Sequence, residues 1–313
     1  MLAYTLKRLA RSVVTLVIII AVVFSLLRFM PIEGYFTNYE KMTPTQVQNG
    51  LQQLGLKDPL YQQLGRFLGQ VAKGDLGVSH RYRVNASING ILAKKAPVSI
   101  KFGLISMAVS LPLGIGLGVL MARKKGGLAD KMGNAYIVFI QAVPNAVYFL
   151  FIQLFGSSWF GLNILYDPKS PSSMILPIIS LALPSISSYA MWMRRYMVDE
   201  ANKDYIKLAR AKGVSNSVVW FRHVFRNSVV PMVQLLPGSL LLTISGSIYV
   251  ESLYSIPGMG GLLVDVIKKQ DNTMVQALVV IFAALGILGL LLGDLLMGLV
   301  DPRISFAKKE GSR

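Results

Sequence analysis

The amino-acid sequence predicts an all-α integral membrane protein with six transmembrane helices and both termini in the cytoplasm. Of the 313 residues, 53% are hydrophobic and only 15% are charged, whereas an ordinary soluble domain has about 25% charged residues. Six stretches of the chain contain no charged residue and are long enough to cross the hydrocarbon core of a bilayer as helices. The positions of the basic residues then orient these helices.

The six uncharged stretches define the transmembrane segments. They lie between the charged residues at positions 11 and 28, 101 and 123, 131 and 167, 169 and 194, 226 and 251, and 271 and 294. We predict helices over 9–30, 102–122, 134–156, 174–194, 228–250 and 275–299. No small-residue cleavage site follows the first segment, so we expect an uncleaved signal anchor rather than a signal peptide.

The net charge of +17 is a topology signal. Of the 32 lysines and arginines, 19 lie in the N-terminal tail, the second and fourth connections and the C-terminal tail. These four regions share one side of the membrane if six helices alternate, and short basic connections stay in the cytoplasm. No basic face studded with aromatic residues accompanies the charge, so we expect no nucleic-acid partner.

Three regions follow from this topology. Residues 1–30 form the N-terminal tail and first helix, 31–100 an extracytoplasmic cap, and 101–313 a five-helix core with a cytoplasmic loop at 195–227. In the cap, Thr43 is expected to cap a helix that starts at Pro44. Glycines at small-residue spacing predict close helix packing in the second and sixth segments: Gly114, Gly116, Gly118, Gly286, Gly289 and Gly293.

The sequence offers little for catalysis or metal binding. Cysteine is absent, and the two histidines, His80 and His223, lie outside the predicted helices on opposite sides. The dipeptide Gly-Lys does not occur, so the chain lacks a phosphate-binding loop and ATP must be used by another polypeptide. An ion-driven carrier would need intramembrane carboxylates. Only Asp294 and Glu251 come near this condition, and we expect Asp294 to pair with a basic neighbour.

The fourth connection contains a basic helix–glycine–helix unit within residues 204–231. Acidic residues precede basic ones in its first helix, as the helix dipole favours, and Gly213 is suited to a left-handed C-cap. Ser215 or Asn216 is expected to cap the second helix, and Pro231 to mark the start of the fifth segment. We interpret the unit as a docking element for a cytosolic partner; the alternative is a basic loop lying on the membrane surface.

The stretch "DYIKLARAKGVSNSVVWFRHVFRNSVVP" resembles the cytoplasmic loop of ABC-importer permeases of the dipeptide, oligopeptide and nickel branch. The general form of that loop has Glu-Ala-Ala before the glycine, where this chain has Lys207, Leu208 and Ala209, and His223 stands where an isoleucine is usual. Further stretches resemble the same branch in the same order along the whole chain: "LGLKDPLYQQ", "GDLGVS", "SIPGMGGLLVDVI" and "LVDPRI".

The resemblance implies a type I ABC importer permease fold in the plasma (inner) membrane of a prokaryote, and an activity in peptide import by alternating access. The implied partners are a second homologous permease, two ABC ATPases that bind ATP and Mg, an extracytoplasmic substrate-binding protein, peptide and membrane lipid. No cofactor is implied in this chain. The loop residues implied to couple to the ATPases are Tyr205, Ala209, Arg210, Ala211, Lys212 and Gly213.

The resemblance also implies an extracytoplasmic gate or receptor contact near the fifth segment, with candidate residues Glu251, Ser255, Pro257, Gly258 and Gly260. The cargo is less well determined, because permeases of this type also resemble handlers of nickel chelates and other small solutes. The absence of cysteine and of intramembrane histidine argues against direct handling of a soft metal ion.

Overall fold

The computed structural model describes residues 2–300, and helices dominate this range. Within it, five helices are long and apolar enough to cross a membrane, and a sharply bent pair makes a sixth span if counted as one. The helices are α1 (Leu2–Leu27), α2 (Pro44–Gln53), α3 (Leu60–Ala72), α4 (Ile88–Arg123), α5 (Leu128–Ala142), α6 (Asn145–Phe160), α7 (Ile175–Ala201), α8 (Asp204–Ala211), α9 (Asn216–Val218), α10 (Arg226–Ser245), α11 (Ile248–Leu253), α12 (Met259–Lys268) and α13 (Asn272–Val300).

The third transmembrane segment is broken, contrary to the continuous helix predicted over 134–156. Helix α5 ends at Ala142, α6 begins at Asn145, and the two axes meet at 105°. Pro144 occupies the N-cap position of α6. Because proline has no N–H and its ring collides with the carbonyl four residues earlier, it ends one helix and is well suited to start the next.

Helix α4 begins well before the predicted segment 102–122. Its 36 residues extend about 54 Å at 1.5 Å per residue, which exceeds a hydrocarbon core of about 30 Å. Ile88, Ile91 and Leu92 in its first two turns are buried against α12 and α13. This packing stabilises the helix through Pro97, and the first turns of α4 therefore fall within the predicted cap region of 31–100.

Helix α4 packs along α7, and α13 packs along α10. A Cβ added at Gly118 would lie 2.7 Å from the carbonyl oxygen of Ala190 on α7, and one at Gly293 would lie 2.3 Å from that of Gln234 on α10. A Cβ added at Gly114 would come within 2.7 Å of α7, and one added at Gly289 would come within 2.7 Å of α10. The predicted close packing is confirmed at these four glycines. It is wrong at Gly116 and Gly286, where an added Cβ would meet nothing within 4 Å.

The N-terminal helix is fastened to the rest of the bundle by an ion pair. Arg8 on α1 contacts Asp294 on α13, and Asp294 also accepts a hydrogen bond of 2.9 Å from the Gln234 side chain. The prediction that Asp294 pairs with a basic neighbour is confirmed. So is the cap of α2, where Thr43 and Gln46 form a reciprocal capping box and Pro44 is the first helical residue.

Candidate functional site

The predicted docking element is a short helix at one end of the bundle, α8, which lies between α7 and α10. Ile206 is completely buried among Met197, Val219 and Val224, so one side of the helix is fixed to the bundle. The opposite side is exposed and includes Leu208, which is 55% accessible to solvent. Of the predicted coupling residues, Ala209 packs partly against the bundle; those on the exposed side are Tyr205, Arg210, Ala211, Lys212 and Gly213.

The end of α8 has the predicted glycine cap. Gly213 has φ +77°, in the left-handed region. Its N–H donates to the Arg210 carbonyl at 3.0 Å, and the Val214 N–H donates to the Ala209 carbonyl at 3.2 Å. This pair of bonds is the Schellman motif, which satisfies carbonyls left free at the helix end. An added Cβ at Gly213 would meet nothing within 4 Å, so the backbone conformation alone favours glycine here.

The second half of the predicted unit differs from expectation. Ser215 stands at the N-cap of α9, but its side chain makes no capping hydrogen bond. The chain then passes through the π-helical turn Val219–Phe225 directly into α10. Pro231 therefore lies inside a continuous helix rather than at the start of one. Helix α8 is thus followed, through this turn, by a helix that is itself a candidate membrane span.

A buried carboxyl group joins α8 to two membrane helices. Glu200, in the last turn of α7, accepts hydrogen bonds from the Tyr205 hydroxyl and, at 3.1 Å, from the Asn227 amide of α10. The Lys203 ammonium lies 2.6 Å from the same carboxyl group. Burial, followed by the bond to Glu200, raises the pKa of Tyr205 to about 12, so this hydroxyl remains a donor. We call Glu200, Tyr205 and Asn227 the hub.

A second ion pair fixes the same end of the bundle. The Arg194 guanidinium of α7 makes a bidentate contact with Asp130 of α5, at 2.5 and 2.8 Å. The Gly126 N–H donates to the same carboxylate at 2.9 Å. Bidentate pairing fixes geometry as well as charge. Sequence reasoning missed both this pair and the hub, because their members are separated by up to 64 residues.

The opposite end of the bundle carries Glu251, on α11, which is only 3% exposed. Its carboxyl group accepts hydrogen bonds from the Ser99 hydroxyl of α4 at 2.7 Å and from the N–H groups of Gly260 and Gly261 at 2.7 and 3.0 Å. A Cβ at Gly258 would lie 2.4 Å from this carboxyl group. Glu251 therefore binds the start of α12 to α4, and glycine at 258 leaves it room.

The five predicted gate or receptor residues thus divide into two groups. Ser255 and Pro257 are exposed on the turn between α11 and α12, with Ser255 at φ +54°. Glu251, Gly258 and Gly260 are buried beneath that turn. The first group is accessible to another protein and the second is not. Their roles in gating or receptor binding stay predictions.

Asp271 forms several hydrogen bonds at the same end of the bundle as Glu251. It was not identified from the sequence. It is completely buried at the start of α13. One carboxylate oxygen accepts hydrogen bonds from the Ser79 hydroxyl at 2.6 Å and from three successive N–H groups, those of residues 80–82, at 2.9–3.1 Å. The other accepts from the Met274 N–H at 3.2 Å. The segment between α3 and α4 is thereby fixed to α13.

A cleft of about 270 Å³ lies between α4, α7 and α10. Hydroxyl groups from all three helices line it, together with apolar side chains, and Glu251 is reached at the end nearest α12. Besides Ser99 and Ser247, the hydroxyl-bearing residues that line the cleft are Ser106, Ser110, Ser185, Tyr189, Ser239 and Thr243. Within residues 2–300, no group of three or more His, Asp or Glu side chains is placed to hold a metal ion.

Comparison with known families identifies the class of protein. Residues 114–306 match the family described as the binding-protein-dependent transport system inner membrane component, and residues 1–90 match the N-terminal domain of such components. The chain belongs to this family of transport-system permeases. It is a multi-pass protein of the bacterial inner membrane and a transporter subunit rather than an enzyme.

Individual relatives agree with this assignment over nearly the full length. The permease is 32% identical to the dipeptide transport system permease protein DppB of Lactococcus lactis subsp. cremoris, over 97% of this chain and 99% of the relative. It is 31% identical to DppB of Bacillus subtilis, over 99% of this chain and 100% of the relative. It is 30% identical to the oligopeptide transport system permease protein OppB of Haemophilus influenzae, over 98% of this chain and 100% of the relative.

A solved structure shares the fold of the permease. The crystal structure of an amino acid ABC transporter with histidines superposes with a TM-score of 0.52 at 17% sequence identity, over 69% of this chain and 95% of that chain. The predicted type I ABC importer permease fold is thereby confirmed.

Proposed function

We propose that this permease is one transmembrane subunit of an ATP-driven importer that passes dipeptides or oligopeptides through the membrane by alternating access. The observation that carries the proposal is the end-to-end similarity to proteins named dipeptide and oligopeptide transport permeases. These names favour peptides over nickel chelates or other small solutes, and an ABC permease fold favours ATP over an ion gradient as the energy source.

The proposed assembly places the α8 end in the cytoplasm, where two ABC ATPases bind ATP and Mg. A second homologous permease completes the pathway, membrane lipid surrounds the pair, and a substrate-binding protein docks at the α12 end. The positive-inside distribution of basic residues supports this orientation. So does the family description, which names a binding protein as part of the system.

Helix α8 is the proposed contact with an ATPase. Tyr205, Arg210, Ala211, Lys212 and Gly213 lie on its exposed side, where they are available to a groove on another subunit. Ala209 instead packs partly against the bundle, so we assign it to holding α8 in position. Because Ile206 is buried and the hub bonds α8 to α7 and α10, a force on the exposed side reaches two membrane helices.

The turn between α11 and α12 is the proposed contact with the substrate-binding protein. Ser255 and Pro257 are exposed there. Glu251, Gly258 and Gly260 lie beneath them, and the hydrogen bonds of Glu251 close α12 onto α4. We assign these three residues to the gate, because docking at the turn would act on the bonds that keep it closed.

The test of the ATPase contact is Leu208→Glu, which places a charge on the exposed apolar part of α8. The matched control is Lys125→Glu, an exposed position in the connection between α4 and α5. A buried charge without a partner costs several kcal/mol, so we expect Leu208→Glu to reduce ATPase co-purification at least about tenfold. The control should retain it, and peptide-stimulated ATP hydrolysis should fall in parallel with binding.

Retention of the ATPases and of peptide uptake in Leu208→Glu would overturn the role of α8. Failure of the wild-type complex to take up any labelled dipeptide or oligopeptide in proteoliposomes supplied with ATP and substrate-binding protein would overturn the proposed cargo. Uptake driven by an ion gradient in vesicles without ATPases would favour a carrier instead.

A further inference from the structure

The cleft between α4, α7 and α10 contains hydroxyl groups that have no hydrogen-bond partner among residues 2–300. Ser106 on α4 is 5% exposed and Tyr189 on α7 is 7% exposed, and both line the cleft. Neither side chain makes a hydrogen bond with any other residue in the described range 2–300. Both hydroxyls are therefore available to donate and accept hydrogen bonds with a group that enters the cleft.

Other hydroxyls in the cleft are oriented as hydrogen-bond acceptors. Ser185 donates its proton to the Leu181 carbonyl at 3.2 Å, Ser239 to Leu235 at 3.1 Å and Thr243 to Leu240 at 2.6 Å. Each proton is therefore turned back into its own helix. The oxygen lone pairs that remain are free to accept N–H donors from a guest.

The charges of the cleft favour the same kind of guest. None of the described lining residues is Lys, Arg or His, and the single ionisable carboxyl group is Glu251. An acidic group entering this space would exchange part of its water for a lining without any basic partner, which is unfavourable. An ammonium or an amide N–H would instead meet several oxygen acceptors.

We infer that this cleft receives the main chain and N-terminal ammonium of the transported peptide, and that it discriminates against acidic side chains. This inference rests on the proposed function and adds to it a site and a charge preference within the membrane. The hydroxyls recognise features that every peptide shares, while the apolar residues Phe102, Met107 and Leu242 accept varied side chains. Selection against acidic cargo is thus a property of the permease in addition to its receptor.

The experiment uses the complete importer in proteoliposomes with its own substrate-binding protein and three labelled tripeptides, Ala-Ala-Ala, Ala-Lys-Ala and Ala-Glu-Ala. Tyr189→Phe and Ser106→Ala each remove one unpartnered hydroxyl. We expect each to reduce uptake of Ala-Ala-Ala about fivefold, the value of one hydrogen bond. The matched control is Ser187→Ala on α7, since Ser187 is buried without a partner but does not line the cleft.

The charge preference is tested with Ser239→Lys and its uncharged counterpart of similar length, Ser239→Gln. Ser239 is only partly buried, so the lysine has access to water in the open cleft. Because the receptor is the same throughout, the ratio of Ala-Glu-Ala to Ala-Lys-Ala uptake isolates the permease. We expect Ser239→Lys to raise this ratio about tenfold or more relative to Ser239→Gln. This is the fold-change that a hydrogen bond between the new lysine and the charged glutamate of the peptide would produce.

The outcomes separate the two proposals. If the wild type takes up Ala-Ala-Ala, but Tyr189→Phe and Ser106→Ala match Ser187→Ala, the cleft is not the peptide site. An unchanged ratio in Ser239→Lys, in a complex that still transports Ala-Ala-Ala, overturns the charge preference. If the wild type transports none of the tripeptides, the proposed function itself is wrong.

Discussion

Replacing Tyr205 with phenylalanine removes only the hydroxyl that connects α8 to Glu200 and Asn227. The bond to Glu200 has a carboxyl acceptor and is worth about 1.5–3 kcal/mol, and the bond of 2.7 Å from Asn227 about 0.5–1.5 kcal/mol. Tyr205 is 39% exposed, so water replaces part of this loss. We expect the attachment of α8 to weaken by about 2 kcal/mol, or about thirtyfold in an equilibrium constant.

The assay is the number of peptides imported per ATP hydrolysed by the reconstituted complex. Because Tyr205→Phe keeps the aromatic ring and leaves every other residue on the exposed side of α8 unchanged, the variant should still bind the ATPases and hydrolyse ATP, while peptide import per ATP falls severalfold. The control is Tyr196→Phe on α7, whose hydroxyl makes no hydrogen bond within residues 2–300. Unchanged import per ATP in Tyr205→Phe would refute the conclusion that the hub transmits movement from α8.

Two further predictions concern stability. Gly118→Ala should lower the free energy of unfolding by about 1–3 kcal/mol, because its Cβ would lie 2.7 Å from the backbone of α7. Gly116→Ala, where an added Cβ meets open space, should be neutral or stabilising in the same thermal melt. Equal effects of the two substitutions would contradict the packing described. Asp271→Ala leaves five hydrogen-bond donors without their acceptor and should cost about 3 kcal/mol or more. Limited proteolysis near residue 80 should then become faster, whereas Asp75→Ala, which removes a bond to one N–H, should leave the rate unchanged.

Much of the fold follows from local properties of the sequence. The uncharged stretches locate the spans, and Gly213 predicts the end of α8 because a left-handed cap is a local requirement. Proline is less informative. Pro112 and Pro184 lie inside continuous helices, whereas Pro144 separates two helices at 105°. Neighbouring helices decide between these outcomes by satisfying, or not satisfying, the freed backbone groups.

The polar contacts within the site could not be predicted from the sequence. The bond from Ser99 to Glu251 spans 152 positions, and that from Ser79 to Asp271 spans 192. A single sequence identifies Glu251 as an unusual residue near a span but not its partners. It also presents Ser106 and Ser187 alike, as small residues in apolar helices, and only the helix packing reveals that one of them faces a cleft.

The hub also has a geometric consequence, because it lies at the ends of two of the three helices that line the cleft, α7 and α10. Helix α7 has 27 residues and is about 40 Å long at 1.5 Å per residue. A tilt of about 5° around the hub would therefore displace the far end of α7 by about 3.5 Å. Helix α10 starts from the same point and would tilt in step with it. A small rotation at the proposed ATPase contact would thus become a displacement of a few ångströms at the far ends of the helices that line the cleft.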